Sequence, residues 1–119
     1  MSAVSERVRE QTRISAPGCD EALTRAFAVL GKRWNGVLIG TLIDGPAGFT
    51  QIARSIHGIS ESVLSDRLSE LADAGLLLRQ VHHGPPVSVT YELTACGQAL
   101  VPALRELGRW ARNSLPAGH

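Results

Sequence analysis

Aromatic side chains are scarce in this chain, at 4% of 119 residues. Any core must therefore be built mostly from Leu, Val, Ile and Ala. Cysteine is equally thin. Cys19 and Cys96 form no CxxC pair and no zinc-ligand spacing, so neither a dithiol motif nor a structural zinc site is expected, and their separation alone decides no disulfide. An excess of one charge is lacking too: 12 Lys and Arg stand against 11 Asp and Glu, a net charge of +1. That is a weak footprint for a nucleic-acid binder, whose affinity rests largely on cations that neutralise phosphates. No apolar run is long enough to span a bilayer, and the opening MSAVSERVRE lacks the apolar stretch of a signal peptide. The expectation is a soluble intracellular protein with no membrane partner, its thiols reduced unless they act as sensors. A nucleophile elbow, a phosphate-cradling glycine loop and an HExxH motif are all missing, so an enzyme is not expected. His82 and His83 are neighbours in a strand-like segment and would point to opposite faces. Neither a metal site nor a cofactor is expected.

What is present suits one compact domain. Hydrophobic residues make up 44% and charged residues 19%, enough apolar surface for a core and too little charge for global disorder. The domain is placed at residues 19–115, between an N-terminal arm at 1–18 and a tail at 116–119. The arm is polar and mixed in charge, either a solvated tail or a short helix near 4–11. Arg7, Arg9 and Arg13 there could touch phosphates, but Glu6 and Glu10 offset them.

Within the domain, Asp20 can cap a helix to about Leu30, with Ala22, Leu23, Ala26, Phe27 and Leu30 inward and Gly31 as its stop. A second helix spans about 34–43 and ends at Asp44-Gly45-Pro46. A short third spans about 50–56, capped by Thr50 with Phe49 packing back from outside. After His57-Gly58, Ser60 opens a helix over about 60–74. Its Leu64, Leu68, Leu71 and Gly75 recur at spacings of four, three and four, so they share one face. Ser62, Ser65, Asp66, Ser69 and Asp73 point the other way. Three of those five are serine, a mediocre helix former. Short hydroxyl side chains allow close approach to another surface and bond to phosphates and base edges; the alternative is an ordinary, weakly optimised exposed face.

Two strand candidates follow, at 76–83 and 87–93, the second alternating Val87, Val89, Tyr91 and Leu93. His83-Gly84-Pro85-Pro86 joins them as a turn. Thr94 then caps a last helix over 95–114. Leu100, Leu104, Leu107 and Ala111 form its stripe, widened by Ala103 and Trp110, and Pro102 should kink it. A stripe that broad on a terminal helix suggests a partner. The fold class is α+β, mainly α: a winged helix-turn-helix with a two-stranded wing and a long C-terminal dimerisation helix.

The order of elements resembles the winged-helix regulators, and the residues sharpen the match to the HxlR-type branch, bacterial transcriptional regulators related to the MarR group. The carrying segments are Cys19-Asp20-Glu21, Gly31-Lys32-Arg33-Trp34, Gly58-Ile59-Ser60, Leu64 with Arg67-Leu68 and Leu71, Gly75-Leu76 with Arg79, Pro86, and Tyr91-Glu92-Leu93-Thr94 with Gly97, Leu100 and Trp110. No single motif decides; the ordered set does, from about Cys19 to Trp110. The resemblance implies a cytoplasmic, homodimeric regulator that binds double-stranded DNA at a near-palindromic operator. The helix from Ser60 would be the recognition helix, the hairpin at Gly84 the wing, and the stripe of Leu100, Ala103, Leu104, Leu107, Trp110 and Ala111 the dimer seam. The family usually has a second glycine where this chain has Lys32 and a lysine where it has Arg33. It usually has an arginine at Gly48, and its wings commonly carry one at Ser88.

The residues expected to meet DNA are Ser60, Ser62, Ser65, Asp66, Arg67 and Ser69, with Arg54, Lys32 and Arg33 as substitute cations, and His83, Gly84 and Ser88 from the wing. His82 or His83 would add charge only when protonated. Arg67 either contacts a phosphate or guanine edge or pairs with Glu70 one turn on. Cys19, just before a helix, is placed where N–H groups and the helix dipole favour a thiolate, and in this family a cysteine there often senses oxidants or electrophiles. Asp20 and Glu21 oppose that, and a small packed residue near the seam is the other reading. Cys96 is read as packed. A small-molecule effector between the helices is a further partner without assigned residues. The alternative function is a winged helix for protein contact or ligand binding, with little specific DNA affinity.

Overall fold

The structure is a computed structural model that describes residues 17–117, with side chains from Glu21 onward. The expected helix at 4–11 and the arm's arginines lie outside the described residues, as does the side chain of Cys19. The chain divides at Lys32–Arg33 into two units.

Among the described residues the first unit holds one helix, α1 (Pro17–Leu30). It begins three residues before the expected cap at Asp20, so Cys19 sits inside its first turn. Arg25 pairs with Glu21 along the helix at 3.6 Å. Leu23 and Phe27 are 55% and 54% exposed, so the apolar set expected to face inward is left largely on the surface. Gly31 ends the helix by donating to the Phe27 carbonyl at 2.8 Å. A Cβ at Gly31 would collide with that same carbonyl oxygen, so glycine is required there.

The second unit follows the order α2 (Asn35–Thr41), β1 (Ala47–Gly48), α3 (Phe49–Ser55), α4 (Glu61–Asp73), β2 (Leu77–His82), β3 (Ser88–Leu93) and α5 (Ala95–Ser114). Its core is aliphatic, as the scarcity of aromatics requires. Leu38 and Ile39 of α2, Leu42 at its C-cap, Ile52 of α3, and Leu64, Leu68 and Leu71 of α4 are all essentially inaccessible. Burying a leucine or isoleucine side chain is worth about 1.5–3 kcal/mol, so three short helices that would not persist alone hold one another.

The wing is a three-stranded antiparallel sheet in the order β1-β3-β2. β2 and β3 form the expected hairpin, in register from Leu77 opposite Leu93 to His82 opposite Ser88. β1 adds two residues, Ala47 opposite Tyr91 and Gly48 opposite Thr90. This third strand also resets α3. Gly48 occupies the N-cap, its N–H donating to Oε1 of Gln51 at 2.9 Å. Phe49 is thus the first helical residue, not an outside staple on a Thr50 cap.

One junction ties α4, the wing and the terminal helix together. Gly75 (φ +85°) closes α4; its N–H donates to the Ala72 carbonyl and that of Leu76 to the Leu71 carbonyl, both at 3.0 Å. That pair of bonds is a Schellman closure, and it takes Leu76 out of the expected strand. Thr94 Oγ1 accepts from the Gly97 N–H at 3.1 Å as the cap of α5 and donates to the Gly75 carbonyl at 2.6 Å. The Thr94 N–H bonds to the Leu76 carbonyl at 3.0 Å. Gly97 lies so close beneath that a Cβ would collide with the Leu76 carbonyl oxygen.

α5 continues for 20 residues with Pro102 inside it, a rod of about 30 Å. It buries Gly97 and Val101. Cys96, one residue and about 100° away from Gly97, is therefore exposed and free rather than packed. Among the described residues no helix is long and apolar enough to cross a membrane.

Candidate nucleic-acid interface

α4 separates its two faces cleanly. Ser60 caps it, Oγ accepting from the Val63 N–H at 3.2 Å. Leu64, Leu68 and Leu71 hold the helix from behind at 0% exposure. Ser62, Ser65, Asp66, Ser69 and Asp73 all stand exposed on the front. The serine hydroxyls leave a low-relief surface along the helix, which suits close approach to a groove floor.

Arg67 lies at the edge of that face. Its guanidinium pairs with Oε1 of Glu70 at 3.2 Å, and the side chain is only 21% exposed. Its Nε is buried without a hydrogen-bond partner. In the single chain the intrahelical pair is thus the state adopted.

The flanking cations fall in several places. Arg54 sits exposed in the last turn of α3, where it also complements the helix dipole. Lys32 belongs to the first unit and Arg33 to the second. Arg33 stacks on Trp34, its Cζ 4.6 Å from the ring centroid. Trp34 is the N-cap of α2 with φ +85° and ψ −21°, the left-handed region, which costs a bulky residue about 1–3 kcal/mol. Nothing in the sequence marks this conformation, since bulky aromatics avoid it.

On the wing, His83 and Gly84 lie exposed in the loop at 83–87, which contains a cis Pro85–Pro86 bond. Ser88 opens β3 opposite His82, also exposed. His82 Nε2 and Thr90 Oγ1 lie 2.9 Å apart, which fixes the ring on the sheet. Arg79, opposite Tyr91, is an exposed wing cation that the sequence reading did not place at the site. Its position in a strand marks it only once the register is known.

Between α2 and α5 runs a groove of about 610 Å³, lined by Gly36, Val37 and Gly40 from α2, by Ile43 just beyond it, and by Leu104, Leu107, Gly108 and Ala111 from α5 together with Arg105, Arg109 and Arg112. Leu107 and Trp110 are 45% and 54% exposed. Leu100, Leu104 and Ala111 are half-buried, and Ala103 is exposed.

A buried leucine seam behind an exposed helix, with a hairpin next in the chain, defines a winged helix-turn-helix of the kind used by transcriptional regulators. The chain belongs to the HxlR-like helix-turn-helix family, whose pattern matches residues 29–119. It is 45% identical over 86 residues to the HTH-type transcriptional regulator YodB of Bacillus subtilis, covering 72% of this chain and 77% of YodB. The reduced form of YodB superposes with a TM-score of 0.73 at 39% identity, over 89% of this chain and 100% of that one. The quinone-bound form of YodB gives 0.69 at 40% identity, over 78% and 98%. The redox regulator HypR in its oxidised form gives 0.75 at 29% identity, over 81% and 99%. The chain is therefore a DNA-binding transcriptional regulator, not an enzyme, and it resembles redox regulators.

Proposed function

We propose that the protein acts as a homodimer on a near-palindromic operator and releases or engages it in response to an oxidant, an electrophile or a small effector. α4 enters the major groove through Ser62, Ser65, Asp66 and Ser69. Ser60 and the first N–H groups of α4 meet a phosphate, and Arg54, Lys32, Arg33 and the wing residues His83, Gly84 and Ser88 follow the backbone. Arg67 exchanges Glu70 for DNA. Two copies joined through Leu100, Ala103, Leu104, Leu107, Trp110 and Ala111 set their α4 helices about one DNA turn apart.

The observation that carries this reading is the pairing of a fully buried leucine stripe with a fully exposed serine face on α4. The exposed Leu107 and Trp110 support the seam. The signal is read at Cys19, in the first turn of α1, or in the α2–α5 groove. The relatives that are redox regulators, and the quinone-bound YodB, support a thiol or electrophile signal. A change at the seam would alter the spacing of the two α4 helices and so the affinity for DNA.

A mobility shift on the DNA upstream of the protein's own gene tests the core of this reading. Specific retention that falls steeply as salt rises is expected; retention no better than on random duplex would contradict it. Cys19→Ser is expected to abolish release by diamide or a quinone, and unchanged release in that variant removes Cys19 as the switch. A second reading, a winged helix that docks protein or ligand with little DNA affinity, is favoured by the net charge of +1, and failure of the shift would support it.

A further inference from the structure

We propose that Trp34 is a positioning residue for the DNA backbone: it holds the Arg33 guanidinium as a phosphate clamp beside the N-terminus of α4. The inference rests on the DNA-binding reading and deepens it. Three observations meet at this point. Trp34 keeps a left-handed backbone at φ +85° that glycine would adopt without strain. A Cβ built on Gly58 would stand 3.7 Å from Cη2 of Trp34, so the ring edge lies over the turn that leads into Ser60, the cap of α4. Arg33 lies on the face of the same ring, 4.6 Å from its centroid.

The indole thus spans from the start of α2 to the turn between α3 and α4, and its face carries a cation. Stacking engages the flat face of a guanidinium and leaves its edge of N–H donors free. Those donors suit the bidentate geometry of a phosphate. Arg67 is paired with Glu70 and Arg109 with Glu106. Among the described residues no carboxylate is in ion-pair range of Arg33. A flexible arginine would lose side-chain entropy on meeting DNA, and prior stacking removes part of that cost. This gives the strained tryptophan a purpose that a glycine could not serve.

The test is binding of the full chain to a mixed-sequence duplex about three helical turns long, followed by fluorescence anisotropy across a salt series. Arg33→Ala is expected to flatten the slope of log K against log salt by about 0.9 and to weaken binding about eightfold near 0.1 M salt, the signature of one lost phosphate contact. Trp34→Ala should reproduce both changes, and the double variant should be no worse than either single one. Trp34→Phe, which keeps an aromatic face, should stay near wild type. Trp34→Gly relieves the backbone, so it should melt no lower than Trp34→Ala while binding as weakly; this arm and Trp34→Phe carry the test where Trp34→Ala fails to fold. An unchanged slope in Arg33→Ala, or losses that multiply in the double variant, would overturn the clamp while leaving DNA binding intact. A wild-type protein with no salt-dependent binding would overturn the DNA reading and the clamp with it.

Discussion

α4 and α5 carry the same kind of leucine stripe and meet opposite fates. Leu64, Leu68 and Leu71 of α4 are inaccessible. On α5 only Gly97 and Val101 are buried, while Leu107 and Trp110 stand about half exposed. The spacing is helical in both, so periodicity does not distinguish them. The difference is what lies opposite. α4 is enclosed by aliphatic residues of the same unit, and its other face is polar and open. α5 is anchored at its first turns by the Thr94–Gly75–Gly97 junction and then runs beyond the unit's own core. One helix spends its stripe on the fold and leaves its polar side open; the other leaves much of the stripe itself exposed.

That contrast can be broken at its strongest point first. Leu68→Ala should cost about 2–5 kcal/mol of unfolding free energy, because the buried site cannot fully collapse. Urea unfolding measures it, and a loss below 1 kcal/mol, well under that range, would mean the α4 stripe is not the core. Gly97→Ala should cost about 1–3 kcal/mol by forcing α5 away from the Leu76 carbonyl. It should also disturb the wing, since Leu76 and Thr94 share the junction; amide exchange of β2 and β3 would report it. Trp110→Glu should change the stability of the isolated subunit by no more than about 0.5 kcal/mol, yet yield monomers by sedimentation. Its melting temperature should lose the concentration dependence expected of a dimer. A persistent dimer in that variant would move the seam off α5.

Much of this arrangement is legible from local pattern. The Ser60 cap, the four-three spacing of Leu64, Leu68 and Leu71 and the Thr94 cap all speak through nearest neighbours along the chain, and each lies where the residues indicate; Gly75, expected on the same buried face, is instead exposed and closes the helix. What is hidden depends on distant contacts. Ala47 and Gly48 carry no strand signal of their own; pairing with Tyr91 and Thr90 makes them one, and that pairing moves the start of α3. Trp34 violates its own backbone preference, so only the fold reveals it. Cys96 and Gly97 could each have faced inward by pattern, and the close carbonyl of Leu76 leaves room only for the glycine. At the interface the serine face is readable as a surface. The Arg67–Glu70 pair was one of two open choices, and the stacking of Arg33 had no sequence signal at all.

The most direct test of the central claim is a hydroxyl-radical footprint of the full-length protein on the DNA upstream of its gene. The account predicts two protected patches whose centres lie about one helical turn apart, both lost when Ser62 and Ser65 are replaced by Glu while the dimer persists. A single patch, uniform protection, or a footprint indifferent to those serines would contradict it.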